Sequence, residues 1–216
     1  ITHYSPNHTG DQYPADPDRL LAGLSAETGQ WLWNIHSGHT YATASTPAVT
    51  AFAPEFHTDG DGNVYYAFQV QDTDDWSANV GGEEAGATQG SGVRVFKFGP
   101  SGSHLWNLTI DSVGSDELRS SVVTEEGELY LTHNWHSDAG DTIQLAGSTF
   151  VADDSETDYF VTKVEADGTM AWAERMDPGI SNGFTPTPII AGDGSVMVDI
   201  SFRSHQVHLG DDFTIT

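Results

Sequence analysis

The chain has 216 residues, and its 32 Asp and Glu against 7 Lys and Arg give a formal net charge of -25. So acidic a surface repels nucleic acid and anionic membranes, and the lack of cysteine excludes disulfides, thiolate metal sites and cysteine nucleophiles. With 37% hydrophobic residues, among them 6 Trp, 7 Tyr and 10 Phe, an acidic disordered chain is excluded too.

Residues 1–19 are polar and contain Pro6, Pro14 and Pro17, so they read as loop or edge strand. From Leu20 a sentence begins that is written three times. Leu20-Leu-Ala-Gly-Leu-Ser reads as a strand, Thr28-Gly29 as a turn, and the next strand carries Trp33. Val93-Arg-Val-Phe-Lys-Phe passes through Ser101-Gly102 to Trp106, and Tyr159-Phe-Val-Thr-Lys-Val through Asp167-Gly168 to Trp172. In each copy the glycine falls nine positions after the first residue and the tryptophan thirteen. Fixed spacing of this kind marks a repeat protein.

Two further runs follow each tryptophan. Thr46-Pro-Ala-Val-Thr50 and Val64–Val70 flank Gly62; Ser120–Thr124 and Leu129–His133 flank Gly127; Thr187–Ala191 and Val196–Ile200 flank Gly194. These glycines lie 29, 21 and 22 residues after their tryptophans, so the first unit carries an insertion in residues 37–55. Loops absorb such length cheaply. The expected organisation is therefore a unit at 20–92 with the insertion, a second at 93–158 and a third at 159–216. Residues 1–19 form the outer strand or loop of a preceding unit.

Four short β-rich runs per unit, punctuated by glycine turns and without helical periodicity, predict an all-β fold. A unit of this size with four strands describes one blade of a β-propeller, here about three four-stranded antiparallel blades. Trp33, Trp106 and Trp172, with Gly29, Gly102 and Gly168, are expected to be the structural core of the repeat, the indoles wedged between blades. Three blades do not close a ring, so the expectation is part of a larger propeller or completion by further copies. The start at Ile1, with no visible signal peptide, is expected of a processed product or an excised fragment.

The stretch Asp158-Tyr-Phe-Val-Thr-Lys-Val-Glu-Ala-Asp-Gly-Thr-Met-Ala-Trp172 resembles the β-propeller repeat of large secreted and cell-surface bacterial and archaeal proteins. Leu20–Trp33 is also similar to the blade motif of quinoprotein-like propellers. The resemblance covers about fifteen residues per blade and implies fold and an extracellular or cell-surface setting; propellers host many activities, so it implies none in particular.

Residues that could carry chemistry are few. Asp59-Gly-Asp-Gly-Asn63 resembles the start of a calcium loop, but the sixth and twelfth positions hold Val64 and Val70, so a hairpin turn is the better reading. Asp72-Thr-Asp-Asp75 and Asp153-Asp154 are acidic loops that calcium would suit, though solvated surface explains them as well. His133 and His136, like His205 and His208, are three apart, which on a strand sends them to opposite faces. His36, His39 and His57 lie in or beside the insertion, where they could meet. Lys97 and Lys163, the two lysines of the chain, share one repeat slot, occupied by Leu24 in the first unit. Asn7 and Asn107 begin candidate glycosylation sequons.

These observations favour a non-enzymatic extracellular structural or binding module, with no catalytic, cofactor or metal residues assigned. The acidity suits high salt, where screening shortens to roughly 3 Å at 1 M, and a halophilic or marine source is expected. Contacts would form at the insertion and at residues 71–92. Its partners would be its own missing blades or further copies, and protein or carbohydrate at the loops. The competing readings are a fragment of a propeller enzyme, quinoprotein-like or carbohydrate-active, and a subunit of a filament or viral particle whose open edges pair.

Overall fold

Glycine turns set the strand boundaries. Gly29, Gly62, Gly102, Gly127, Gly168 and Gly194 have φ between 68° and 90°, a region that a Cβ disfavours. At Gly102 the geometry is that of a short hairpin: Gly102 N–H donates to Gly99 O at 2.9 Å and Gly99 N–H to Ser103 O at 2.7 Å. The structure, a computed structural model, describes residues 19–41, 52–71, 76–80, 83–85, 90–153, 157–177, 186–200, 207–209 and 213–215.

Among the described residues every regular element is a strand, so the fold is all-β. The strands are β1 (Arg19–Leu24), β2 (Trp31–Tyr41), β3 (Phe52–Thr58), β4 (Val64–Gln71), β5 (Trp76–Val80), β6 (Glu83–Ala85), β7 (Gly90–Phe98), β8 (His104–Ile110) and β9 (Gly114–Val123). They continue with β10 (Leu129–His136), β11 (Thr142–Leu145), β12 (Ser148–Val151), β13 (Thr157–Val164), β14 (Met170–Asp177), β15 (Thr187–Ile190), β16 (Val196–Asp199), β17 (Val207–Leu209) and β18 (Phe213–Ile215).

Hydrogen bonding groups them into two antiparallel meanders of four, β3-β4-β7-β8 and β9-β10-β13-β14. A two-residue parallel contact, Gly90 with Gly114 and Ser91 with Ser115, joins them into one mixed sheet. Strands β1 and β2 form a separate sheet extended by β5 and β6, while β15 and β16 form a hairpin of their own. The hairpin β17–β18 continues the sheet beyond β14.

Each meander thus takes its first two strands from one sequence repeat and its last two from the next. The hydrogen-bonded unit is offset by half a repeat from the unit 93–158 marked by the spacing of glycine and tryptophan.

Burial explains why these strands read as near-continuous apolar runs. In β4, Tyr65 and Ala67 face a core shared with the second meander, through Val93, Val95, Leu129, Leu131, Trp135 and Phe160. Their neighbours Tyr66 and Phe68 face a second core, closed by Ile35 and the partly buried Leu21 and Trp33 of the β1–β2 sheet. A third core, Tyr159, Val161 and Met176, packs against Val198 and Ile200 beside the β15–β16 hairpin. The elements therefore stack in chain order with a core at each seam.

The first unit departs from the sequence alignment at one slot. Lys97 pairs across the strands with Trp106, and Lys163 with Trp172, but Trp33 pairs with Gly23. The first turn is one residue longer, since Gly29 N–H bonds back four residues to Ser25 O whereas Gly102 and Gly168 bond back three. The occupant of the lysine slot is therefore Gly23, not Leu24. A Cβ there would lie 2.6 Å from the Trp33 indole, so this position must be bare.

Candidate functional site: the seams between repeats

The tryptophans of the first two repeats close on the glycine turn of the following one. Trp33 lies on Gly102, where an added Cβ would come within 2.9 Å of the indole, and its Nε1–H donates to Pro100 O at 2.8 Å. Trp106 repeats this on Gly168, with the same 2.9 Å approach and a 2.9 Å bond from Nε1–H to Ala166 O. In both cases the acceptor is two residues before the glycine. The constant spacing in sequence is thus the imprint of a contact between neighbours. Trp172 stands edge-on to Tyr130 at 6.1 Å and remains 39% exposed.

A polar clamp reinforces the seam between the meanders. The Asp59 carboxylate accepts from Asn63 N–H (2.8 Å), Asn63 Nδ2 (2.7 Å), Asp61 N–H (3.1 Å) and the Tyr65 hydroxyl (3.2 Å). Lys97 Nζ sits 3.3 Å from it, and both side chains are buried. Burial raises the Asp59 carboxyl, but the bonds from Asn63 and Lys97 outweigh it, so the group titrates below the ordinary carboxylate range. The clamp reaches across the seam at three points. Lys97 Nζ donates to Ala166 O at 3.0 Å, Tyr65 OH to Gly127 O at 2.7 Å, and Gly60 N–H to Glu125 O at 2.8 Å. Burial and the nearby Asp59 charge push the Tyr65 phenol upward.

The second lysine pairs with carboxylates nearer the surface and within its own meander. Lys163 Nζ lies 2.7 Å from Glu128 Oε1 and 3.1 Å from Glu165 Oε1, contacts that hold its ammonium charged well above the usual lysine range. Each lysine also faces the ring of its cross-strand tyrosine, Lys97 over Tyr65 at 4.7 Å and Lys163 over Tyr130 at 6.0 Å. In the Asp59–Asn63 turn, the Lys97 ammonium and the turn's own amides occupy the carboxylate that a calcium ion would need.

A serine, a histidine and a carboxylate meet between β3 and β9. Ser121 Oγ–H donates to Glu55 Oε2 in a short hydrogen bond, and His57 Nε2 lies 2.8 Å from the same serine oxygen. The serine's single proton is committed to Glu55, so His57 serves as donor to it. That direction is opposite to the one that activates a serine nucleophile. The group can tie two strands of neighbouring meanders together and present a polar surface there. His133 is fully buried, stacked on Phe160 and bonded through Nε2 to Thr162 Oγ1 at 3.1 Å. Burial pushes its pKa down to about 3, so it is a neutral core residue.

Asp116 is the buried charge with a measurable consequence. Its Oδ2 accepts from Ser112 N–H at 2.9 Å and Ser112 Oγ at 2.7 Å. Burial raises its pKa to about 7; the Ser112 bonds and the Arg94 charge oppose this, and Asp111 adds to it. Because the folded pKa lies above the unfolded one, the native state holds the extra proton. Stability therefore falls as pH rises from about 4 to about 7 and is level above that. Asp116→Asn should remove this slope. Thermal unfolding at pH 5 and pH 8 should show the variant gaining at pH 8 relative to wild type; parallel pH profiles would refute the assignment.

Among the described residues no three His, Asp or Glu side chains converge as metal ligands. The side chains of His36 and His39, and residues Asn7, Asp72–Asp75, Asp154 and His205, lie outside the described residues. Asp153 is exposed and paired with Arg175 at 3.1 Å. Asn107 is exposed on β8, with its neighbour Trp106 half-buried. Glu55, Tyr65, Ser121 and Asp116 were not singled out by sequence; each draws its role from a partner far along the chain or from burial. A scan against protein-family models, a search of curated proteins and a search of solved structures each gave no match to this chain.

Proposed function

We propose that the chain is a non-enzymatic structural or binding module, built of propeller-type blades and belonging to an acidic, salt-adapted extracellular or cell-surface protein. The observation that carries this reading is the seam. The same tryptophan-on-turn contact joins the β1–β2 sheet to the first meander and the first meander to the second, and the buried ionic groups brace turns. In this reading the meanders are the blades. Strands β3, β9 and β15, one from each repeat, lie side by side and line the axis. The contact surface for protein or carbohydrate falls within residues 37–55 and 71–92, the latter carrying strands β5 and β6 where a loop was expected.

The acidic surface makes the salt dependence a direct test. Repulsion within a particle of net charge -25 weakens as the Debye length falls from about 10 Å at 0.1 M to 3 Å at 1 M. The unfolding midpoint should accordingly climb steadily between 0.1 and 3 M KCl. A midpoint independent of KCl would contradict salt adaptation. The enzyme reading, a quinoprotein-like or carbohydrate-active propeller, has the Glu55–His57–Ser121 cluster as polar surface beside the proposed axis. It requires an activity that Glu55→Gln abolishes while leaving the unfolding midpoint unchanged.

A further inference from the structure

The seam contact has two halves, an indole and a glycine turn, and the described residues leave one of each open. Of the three repeat tryptophans Trp33, Trp106 and Trp172, the last is the exposed one, at 39%. The open turn is Ser25–Gln30, where Gly29 has φ 68° and nothing within 4 Å of the position a Cβ would take. At the two filled seams the corresponding space is taken by an indole. The carbonyl two residues before the glycine, which is Pro100 O or Ala166 O at the filled seams, is Glu27 O in the open turn.

We propose that Trp172 of one copy docks on the Ser25–Gln30 turn of a second copy, donating Nε1–H to Glu27 O. The interface repeats within the assembly the contact that Trp33 and Trp106 make within the chain. It is head-to-tail, with different surfaces meeting, so it extends or closes a ring according to its rotation. Lys163 stands beside Trp172 as Lys97 stands beside Trp106, and Lys97 donates to the same carbonyl as Trp106. Lys163 itself is held by Glu128 and Glu165, so the indole and its N–H carry the joint. The proposal rests on the repeat-module reading but names its joining surface.

The test is light scattering of the full chain over a wide concentration range in roughly 1–3 M KCl, where repulsion between copies is screened. Two variants separate the halves of the joint. Trp172→Ala removes the indole and keeps the turn. Gly29→Asn keeps the backbone, since asparagine tolerates positive φ, but puts a side chain where the indole must lie. The wild type should gain mass with concentration, and each variant alone should stay monomeric. Mixed, the two variants should form a dimer that grows no further, because only one competent pair of surfaces remains. Recovery on mixing also shows that both variants are folded.

A wild type that stays monomeric throughout, as it would if Trp172 served a carbohydrate or another protein, overturns the proposal. So does self-association of Trp172→Ala at wild-type strength. Monomers whose midpoint still climbs with KCl would leave the module reading standing. Copies joined through Trp172 into an open fibre would retain the joint and count against the propeller.

Discussion

Trp106→Ala should destabilise the fold by about 3–5 kcal/mol, the range for removing a large packed aromatic. Trp172→Ala, at the same repeat position, should cost roughly 1 kcal/mol or less in the isolated chain, as surface changes do. Trp106 packs against the first core, meets Tyr65 edge-on at 5.8 Å, covers the Gly168 turn and bonds Ala166 O. Removing it opens a cavity at the seam and leaves Lys97 alone on that carbonyl. Trp106→Phe should fall between the two, retaining most of the apolar contact but not the hydrogen bond. Urea unfolding of the three variants gives the ranking. Equal losses at Trp106 and Trp172 would mean that the indoles act within their own hairpins and not across the seam.

Asp59→Asn should be nearly as damaging, at about 3–5 kcal/mol, because breaking one side of a buried ion pair strands the other. An asparagine oxygen can still accept from Asp61 and Asn63. Its amide, however, would present hydrogens towards Lys97 and Tyr65, which also donate. Lys97 lies almost wholly out of water and retains Ala166 O and the Tyr65 ring but no anion. The double variant Asp59→Asn with Lys97→Met removes the stranded charge and should be less destabilised than Asp59→Asn alone. A double-mutant cycle measures that coupling. If the two losses simply add, the 3.3 Å contact contributes nothing and the clamp is held by its turn amides.

Much of the strand content was legible in the chain because its punctuation is local. Gly62, Gly102, Gly127 and Gly168 need positive φ whatever surrounds them, and the alternation of Tyr65 with Tyr66 or Val95 with Phe96 divides one strand between two cores. The shared slot of Lys97 and Lys163 was visible as well, and both lysines meet carboxylates. What spacing could not show is which strands bond to which. A repeat has no marked beginning, so the grouping β3-β4-β7-β8 and the grouping β1 to β4 are equally compatible with the sequence. The Leu24 alignment failed for a related reason: one additional turn residue between Gly23 and Gly29 leaves the gap from Gly29 to Trp33 untouched. Asp116 was hidden among 32 acidic residues, because burial distinguishes it and sequence does not.

The half-repeat offset of the meanders bears on how such a gene can change length. Each of the two meanders is sewn from two successive copies of the repeated text, so a chain lengthened by a full repeat regenerates a whole meander in its interior. Gain or loss of a full repeat preserves every inner joint and alters only the flanking halves. Unequal recombination would then lengthen or shorten the protein without inventing a new contact, while an insertion between a turn glycine and its tryptophan would carry the indole off the neighbouring turn. The four-residue interval from glycine to indole is the part of the repeat on which every such joint depends.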